Sequence, residues 1–152
     1  MAKTVSARKN LPRIGAHVPT SGGMAKRSIE YALTIKAEAI QVFASSPRTW
    51  AQAKPNPEAD AAFIEKANEL DIETYVHAPF LINLGSPTES VRHKSYTALK
   101  DEILRCNLLS IPYAVLHPGS KLDGNEEDSL RWIAEGINNA LEISNKKTMI
   151  LL

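Results

Sequence analysis

Three histidines, His17, His77 and His117, stand where short apolar runs give way to loops. Tyr113-Ala114-Val115-Leu116 lies between Pro112 and the break His117-Pro118-Gly119, which reads as a short strand buried in a parallel sheet covered on both faces. Thr74-Tyr75-Val76 likewise ends in His77 and is closed by Ala78-Pro79. An imidazole at the end of a parallel strand lies on the side of the sheet where α/β folds carry their chemistry. Neighbouring strands run about 4.8 Å apart, so imidazoles at matching heights on these two strands can reach one ion at about 2 Å each. That makes His77 and His117 the edge of a zinc site. Either histidine alone is better explained as a hydrogen-bonded strand end; the pair is what points to metal. His17 is taken as a group behind the ligands or a substrate contact, and His93, in the polar half of a helical stretch, as a solvated surface residue.

The elements that must position these groups alternate along the chain. Arg13 to Val18 reads as a first strand, and Pro19-Thr20-Ser21-Gly22-Gly23 breaks it before a helix from about Met24 to Lys36. Ala39 to Ala44 is a second strand, followed by the polar loop Ser45-Ser46-Pro47-Arg48-Thr49-Trp50; Pro55 and Pro57 then open a helix to about Leu70. After the third strand and the loop Phe80 to Gly85, Ser86-Pro87-Thr88-Glu89 has the spacing of a capping box and starts a helix to about Leu109. The fourth strand leads through Lys121-Leu122-Asp123-Gly124-Asn125 to an acidic-started helix from Glu126 to about Ser144, and Thr148 to Leu152 begins a fifth strand.

Four βα units and a fifth strand imply a parallel α/β sheet with right-handed crossovers. A doubly wound sheet and the first half of a (β/α)8 barrel both fit. The chain has no Gly-x-Gly-x-x-Gly after its first strand and no Walker Gly-Lys-Ser/Thr, which removes the best support for a nucleotide-binding doubly wound fold. Three histidines at strand ends favour the barrel, whose chemistry converges from several strands.

Composition narrows the class further. In 152 residues, 43% are hydrophobic and 23% charged, which suits one globular domain with a good core. The formal charge of +1 argues against a strongly polyanion-seeking surface, although a local basic face could still meet nucleic acid. The single cysteine, Cys106, excludes an intrachain disulfide and any Cys-x-x-Cys zinc site. No apolar run reaches transmembrane length, and residues 1–12 carry basic groups without a hydrophobic segment. The expectation is a cytoplasmic protein with a basic leader, 1–12, and a partial barrel, 13–152.

Taken in order, Ile14-Gly15-Ala16-His17-Val18 with Gly22-Gly23, Pro47-Arg48-Thr49-Trp50, His77-Ala78-Pro79-Phe80-Leu81-Ile82-Asn83-Leu84-Gly85 and His117-Pro118-Gly119-Ser120 resemble the endonuclease IV family of apurinic/apyrimidinic endonucleases. The resemblance covers nearly the whole chain after the leader. It implies the N-terminal half of a TIM barrel and a zinc-dependent phosphodiesterase that cuts duplex DNA on the 5′ side of an abasic site, in base excision repair. In that family three zinc ions activate a bridging hydroxide and neutralise phosphate charge. His77 and His117 match two of the ligands. Arg48 matches the position that inserts into the DNA stack, and Phe80 that of an aromatic wedge, usually Tyr, able to hold a kinked step open. His17 falls near the site without a ligand role.

This chain departs from the family in two ways. His77-Ala78-Pro79-Phe80 stands where some relatives have a His-Asp-Ser-Tyr type of stretch. Nothing follows Leu152, where the family continues into a Glu-Asn-Thr stretch and further Asp, His and Glu ligands, so the chain is read as a fragment supplying at most two ligands. An uncovered half-barrel would also invite an oligomer or a separate second half. Two alternatives stay open: a metal-dependent sugar isomerase or epimerase on the same superfold, and a non-catalytic half-barrel that binds DNA or a partner.

Overall fold

The structure, a computed structural model, describes residues 11–143 and 147–152. Most of the expected leader and the end of the last helix, including Ser144, lie outside the described residues. Five strands, β1 (Gly15–His17), β2 (Ala39–Val42), β3 (Glu73–His77), β4 (Tyr113–Val115) and β5 (Met149–Leu151), form one sheet. Helices α1 (Ile29–Thr34), α2 (Pro57–Glu69), α3 (Glu89–Leu108) and α4 (Glu126–Ile143) connect them. Every pairing is parallel and each strand lies beside the next one in sequence, β1-β2-β3-β4-β5. A doubly wound sheet must reverse its strand order at a switch point. This one does not, and the order is that of a barrel wall.

Alternation along the strands separates the two faces. Ile40, Val42, Val76 and Ala114 are buried with Ala32 of α1, Phe63 and Ala67 of α2, and Cys106 of α3. A second cluster joins Leu116, Leu84, Leu99, Ile103 and Ala140 beneath α3 and α4. The residues between them, among them Gln41, Tyr75, Tyr113 and Val115, are only half-buried, and His17 and Met149 are exposed. The expectation that the fourth strand is buried on both faces is therefore corrected. Helices cover one face, and on the other Tyr75 and Tyr113 stack at 4.9 Å with rings 18° apart.

Local chemistry explains the helix ends. Asn56 caps α2 by accepting the Ala59 N–H at 3.1 Å, with Pro57 in its first turn. The Asn125 side chain accepts the Asp128 N–H at 3.0 Å at the start of α4. After α1, α2 and α3 the chain turns through Lys36, Asp71 and Ser110, all at positive φ (58°, 54° and 54°). In each case the next N–H returns to a carbonyl five residues back: Ala37 to Ala32, Ile72 to Ala67 and Ile111 to Cys106. This is a Schellman-type stop, repeated in the first three βα units.

Two expected helix starts differ. Residues 24–36 do not form one α-helix: Met24–Ser28 is wound as π-helix, and only Ile29–Thr34 is α. The entry passes through Gly22 and Gly23, at φ 97° and 94°, and the Ser28 hydroxyl donates to the Pro19 carbonyl at 2.8 Å. Nor does Ser86 cap α3. The residue before the helix is Thr88, with no side-chain cap, while the Ser86 hydroxyl accepts the Thr88 N–H at 3.2 Å. A serine at this spacing can close a local turn instead of a cap. Arg92 steadies that turn, donating to the carbonyls of Ser86 and Pro87 at 2.7 and 2.9 Å while its guanidinium lies 3.8 Å over the Trp132 ring of α4.

Between α2 and α3 lies a buried charged pair. Arg105 donates two hydrogen bonds to the Asp60 carboxylate, at 2.5 and 2.7 Å, and removing either partner of such a pair costs about 3–5 kcal/mol. One turn away, Glu102 is fully buried and neither carboxyl oxygen has a hydrogen-bond partner. Burial pushes its carboxyl from the ordinary 4.5 up to about 7, opposed by Arg105 and reinforced by Asp101. The unfolded chain ionises this group near 4.5 while the folded chain keeps its proton to about 7, so stability falls as pH rises between those values and then levels off. Glu102→Gln removes the titration. Its stability relative to wild type is expected to rise across that window by up to about 3 kcal/mol, read from urea unfolding at pH 4 and pH 8. An equal difference at both pH values would refute the account.

Candidate active site

The C-terminal ends of the strands deliver four rings to one place. His77 closes β3 and is buried; its Nδ1 donates to the Ala78 carbonyl at 2.7 Å. That bond fixes the tautomer and leaves the Nε2 lone pair for another partner. His117 is exposed and lies two residues beyond Val115, the register partner of His77, outside β4. Matching heights in the ladder are therefore corrected. The imidazoles nevertheless meet, with centroids 5.1 Å apart and planes 51° apart. Staggered, tilted strands bring residues of different register to one level at a barrel mouth.

His17 approaches from β1, where it pairs with Gln41 of β2 and has its Nδ1 3.0 Å from the Gln41 amide nitrogen. Burial, and then the nearby His77, lower its pKa, which favours the neutral ring. The residue that joins these groups is Phe43, which sequence reasoning placed in a strand without a role. Its ring lies 4.5 Å from His17, 5.3 Å from His77 and 5.1 Å from Phe80. Only the alternation could have found it, since Phe43 is two residues from Gln41 and out of step with buried Val42 and Ala44.

The loops are tied to one another. Phe80 is 60% exposed, with its ring 5.4 Å from His77, and its N–H donates to the Pro47 carbonyl at 3.2 Å. That bond sets the loop carrying exposed Arg48 beside Phe80. Beneath that loop is a cavity of about 390 Å³ bordered by Phe43, Ser45, Asp60 and Arg105. His93, on α3, is exposed as expected.

The stretch from Leu81 to Gly85 works as a clamp on the loop after His117. The Asn83 side-chain oxygen accepts the Ser120 N–H at 2.9 Å, the Leu84 N–H donates to the Pro118 carbonyl at 2.9 Å, and the Asn83 N–H donates to the Ser95 hydroxyl at 2.8 Å. Gly119 sits inside this clamp at φ 118°.

As a metal site, the arrangement supplies two nitrogen donors of the kind zinc accepts. Among the described residues no group of three or more His, Cys, Asp or Glu converges to complete it. The fit is that of an incomplete site.

The profile of the xylose isomerase-like TIM barrel family matches residues 29–152. The chain belongs to this family. Within it, the kinship is with endonuclease IV. A Streptomyces coelicolor protein named probable endonuclease 4 is 40% identical over 81% of this chain and 42% of its own length. The crystal structure of endonuclease IV from Thermus thermophilus superposes with a TM-score of 0.78 at 31% identity, over 92% of this chain and 51% of that one. A D-tagatose 3-epimerase-like protein superposes at a TM-score of 0.63 and 21% identity, over 90% and 51%, a likeness of fold alone. The chain spans about half the length of the curated relatives it matches. No helix among the described residues is long and apolar enough to cross a membrane.

The clamp makes a sharp prediction for this endonuclease IV relative. A Cβ at Gly119 would lie 2.1 Å from the Asn83 side-chain oxygen and 2.7 Å from its Cα, at a backbone angle that L-residues rarely adopt. Gly119→Ala is expected to cost about 2 kcal/mol or more in urea unfolding. Unchanged stability would show that Asn83 does not hold this loop.

Proposed function

We propose that the chain contributes to a zinc-dependent AP endonuclease of the endonuclease IV type, hydrolysing duplex DNA on the 5′ side of an abasic site in base excision repair. The observation that carries this reading is the convergence of His77 and His117 at 5.1 Å, with Nε2 of His77 left free, beside the tied loops of Phe80 and Arg48. The relatives named endonuclease 4 support DNA as the substrate.

In this proposal His77 and His117 hold the metal. Bound zinc would supply a hydroxide nucleophile and offset charge on the phosphate. Phe80 replaces stacking lost at a kinked step, Arg48 meets the phosphate or stacks on a base, and neutral His17 packs behind the ligands through Phe43. Residues 13–152 form part of the barrel after the leader 1–12, and the remaining ligands come from a second half-barrel, in the same polypeptide or as a partner or second copy. The place of action is the cytoplasm.

The test uses this chain, zinc and a duplex carrying one abasic-site analogue. Zinc uptake, followed by equilibrium dialysis, is expected to fall to background in the His77→Ala, His117→Ala double variant. Chelator-sensitive incision 5′ to the lesion would establish the full reaction. Binding that survives chelation, without incision, would reduce the reading to a DNA-binding half-barrel. Uptake that both substitutions leave unchanged would remove the metal assignment.

A further inference from the structure

We propose that Phe43 is a positioning residue that holds the exposed Phe80 wedge in a single orientation against His77. The reading of Phe80 as a wedge rests on the function proposed above; the contacts that hold it do not. Phe43 lies just past the end of β2, half-buried, on the face that also carries His17 and Gln41. Its ring meets Phe80 at 5.1 Å with planes 72° apart and His77 at 5.3 Å with planes 64° apart, both edge-to-face. The third side of the triangle, His77 to Phe80, is 5.4 Å. Within this triangle each ring meets the other two, and the two contacts of Phe43 have the edge-to-face geometry that ring quadrupoles prefer.

A phenyl ring 60% exposed would ordinarily exchange between rotamers. Here the Phe80 backbone is held by the Pro47 carbonyl and its ring by an edge-to-face contact with Phe43 and a tilted one with His77. A wedge ordered before DNA arrives has less freedom to lose on insertion. The same contacts link insertion to the metal ligand, because a ring pressed by DNA bears on Phe43 and on His77 together. Leucine would fill much of the Phe43 volume but offers no ring edge.

The experiment has two arms. On the free, labelled protein, three-bond couplings of Phe80 are expected to report one χ1 rotamer in wild type and averaging in Phe43→Leu, with Phe43→Tyr restoring the single rotamer. In the second arm a duplex carries a tetrahydrofuran abasic analogue with 2-aminopurine beside it, and binding is read from the fluorescence of unstacking. Phe43→Leu is expected to reduce the preference for this duplex over an undamaged one by about five- to tenfold, with affinity for the undamaged duplex unchanged. If Phe43→Leu does not fold, Phe43→Met takes its place in both arms. A fixed Phe80 rotamer in the variant, or a mobile one in wild type, overturns the proposal, as does an unchanged preference. Wild-type protein without preference for the abasic duplex would sink the function proposed above, while the rotamer arm still decides the role of Phe43.

Discussion

Everything at the candidate site depends on one constraint: each strand pairs, in parallel, with the strand that follows it in sequence. Parallel neighbours need a crossover, and with every crossover helix on one face the loops after successive strands gather along one rim. Because the order never reverses, His17, Phe43, His77 and His117 arrive from β1, β2, β3 and β4 as consecutive staves. The stagger of those staves corrects a simple reading of the ladder. His117 lies two residues past the partner of His77, yet their rings are 5.1 Å apart.

Rigidity at the rim comes from backbone groups more than from the functional side chains. The His117 loop is held through Pro118 and Ser120 by Leu84 and Asn83, and the Arg48 loop through Pro47 by the N–H of Phe80. The candidate side chains are thereby left open: Nε2 of His77, the exposed Phe80 ring and exposed Arg48. Deeper in the molecule, α3 carries both Arg105, which holds Asp60 of α2 through its two terminal nitrogens while its Nε is left without a partner, and the unsatisfied Glu102 carboxyl, which keeps its proton to about pH 7.

Legibility in the sequence followed the range of the interactions. The βα alternation and the strand-end histidines were legible because they are written in short runs: an apolar stretch, a histidine, a proline. The Ser86 turn was misread because a capping box and a local serine turn share one pattern over four residues, and only the path of the backbone separates them. Phe43 carried no signal of its own because Ala39 to Ala44 reads only as a strand, and the helix-free face alone reveals which of its residues look outward. Asp60 and Arg105, 45 positions apart, meet through helix packing that no local pattern encodes. The helix-free face that carries Tyr75 and Tyr113 was anticipated from the half-barrel reading.

The exposure of Phe80 would mean little by itself, since single apolar side chains are common on protein surfaces. Its surroundings set it apart. A ring free to bury itself would fold toward the apolar core, but the Pro47 carbonyl holds the backbone and the Phe43 edge occupies the space beside it. A phenyl ring carries no hydroxyl that water could satisfy, so solvent compensates little for the exposure. A partner that covers the ring then gains more by burying it, at about 25 cal/mol per Å² of apolar surface removed from water. Stacked bases around a missing nucleotide present such a surface, flat, apolar and already short of one neighbour. In the proposed role the bare phenyl ring would therefore act by stacking and not by hydrogen bonding, while its contacts with Phe43 and His77 set its orientation.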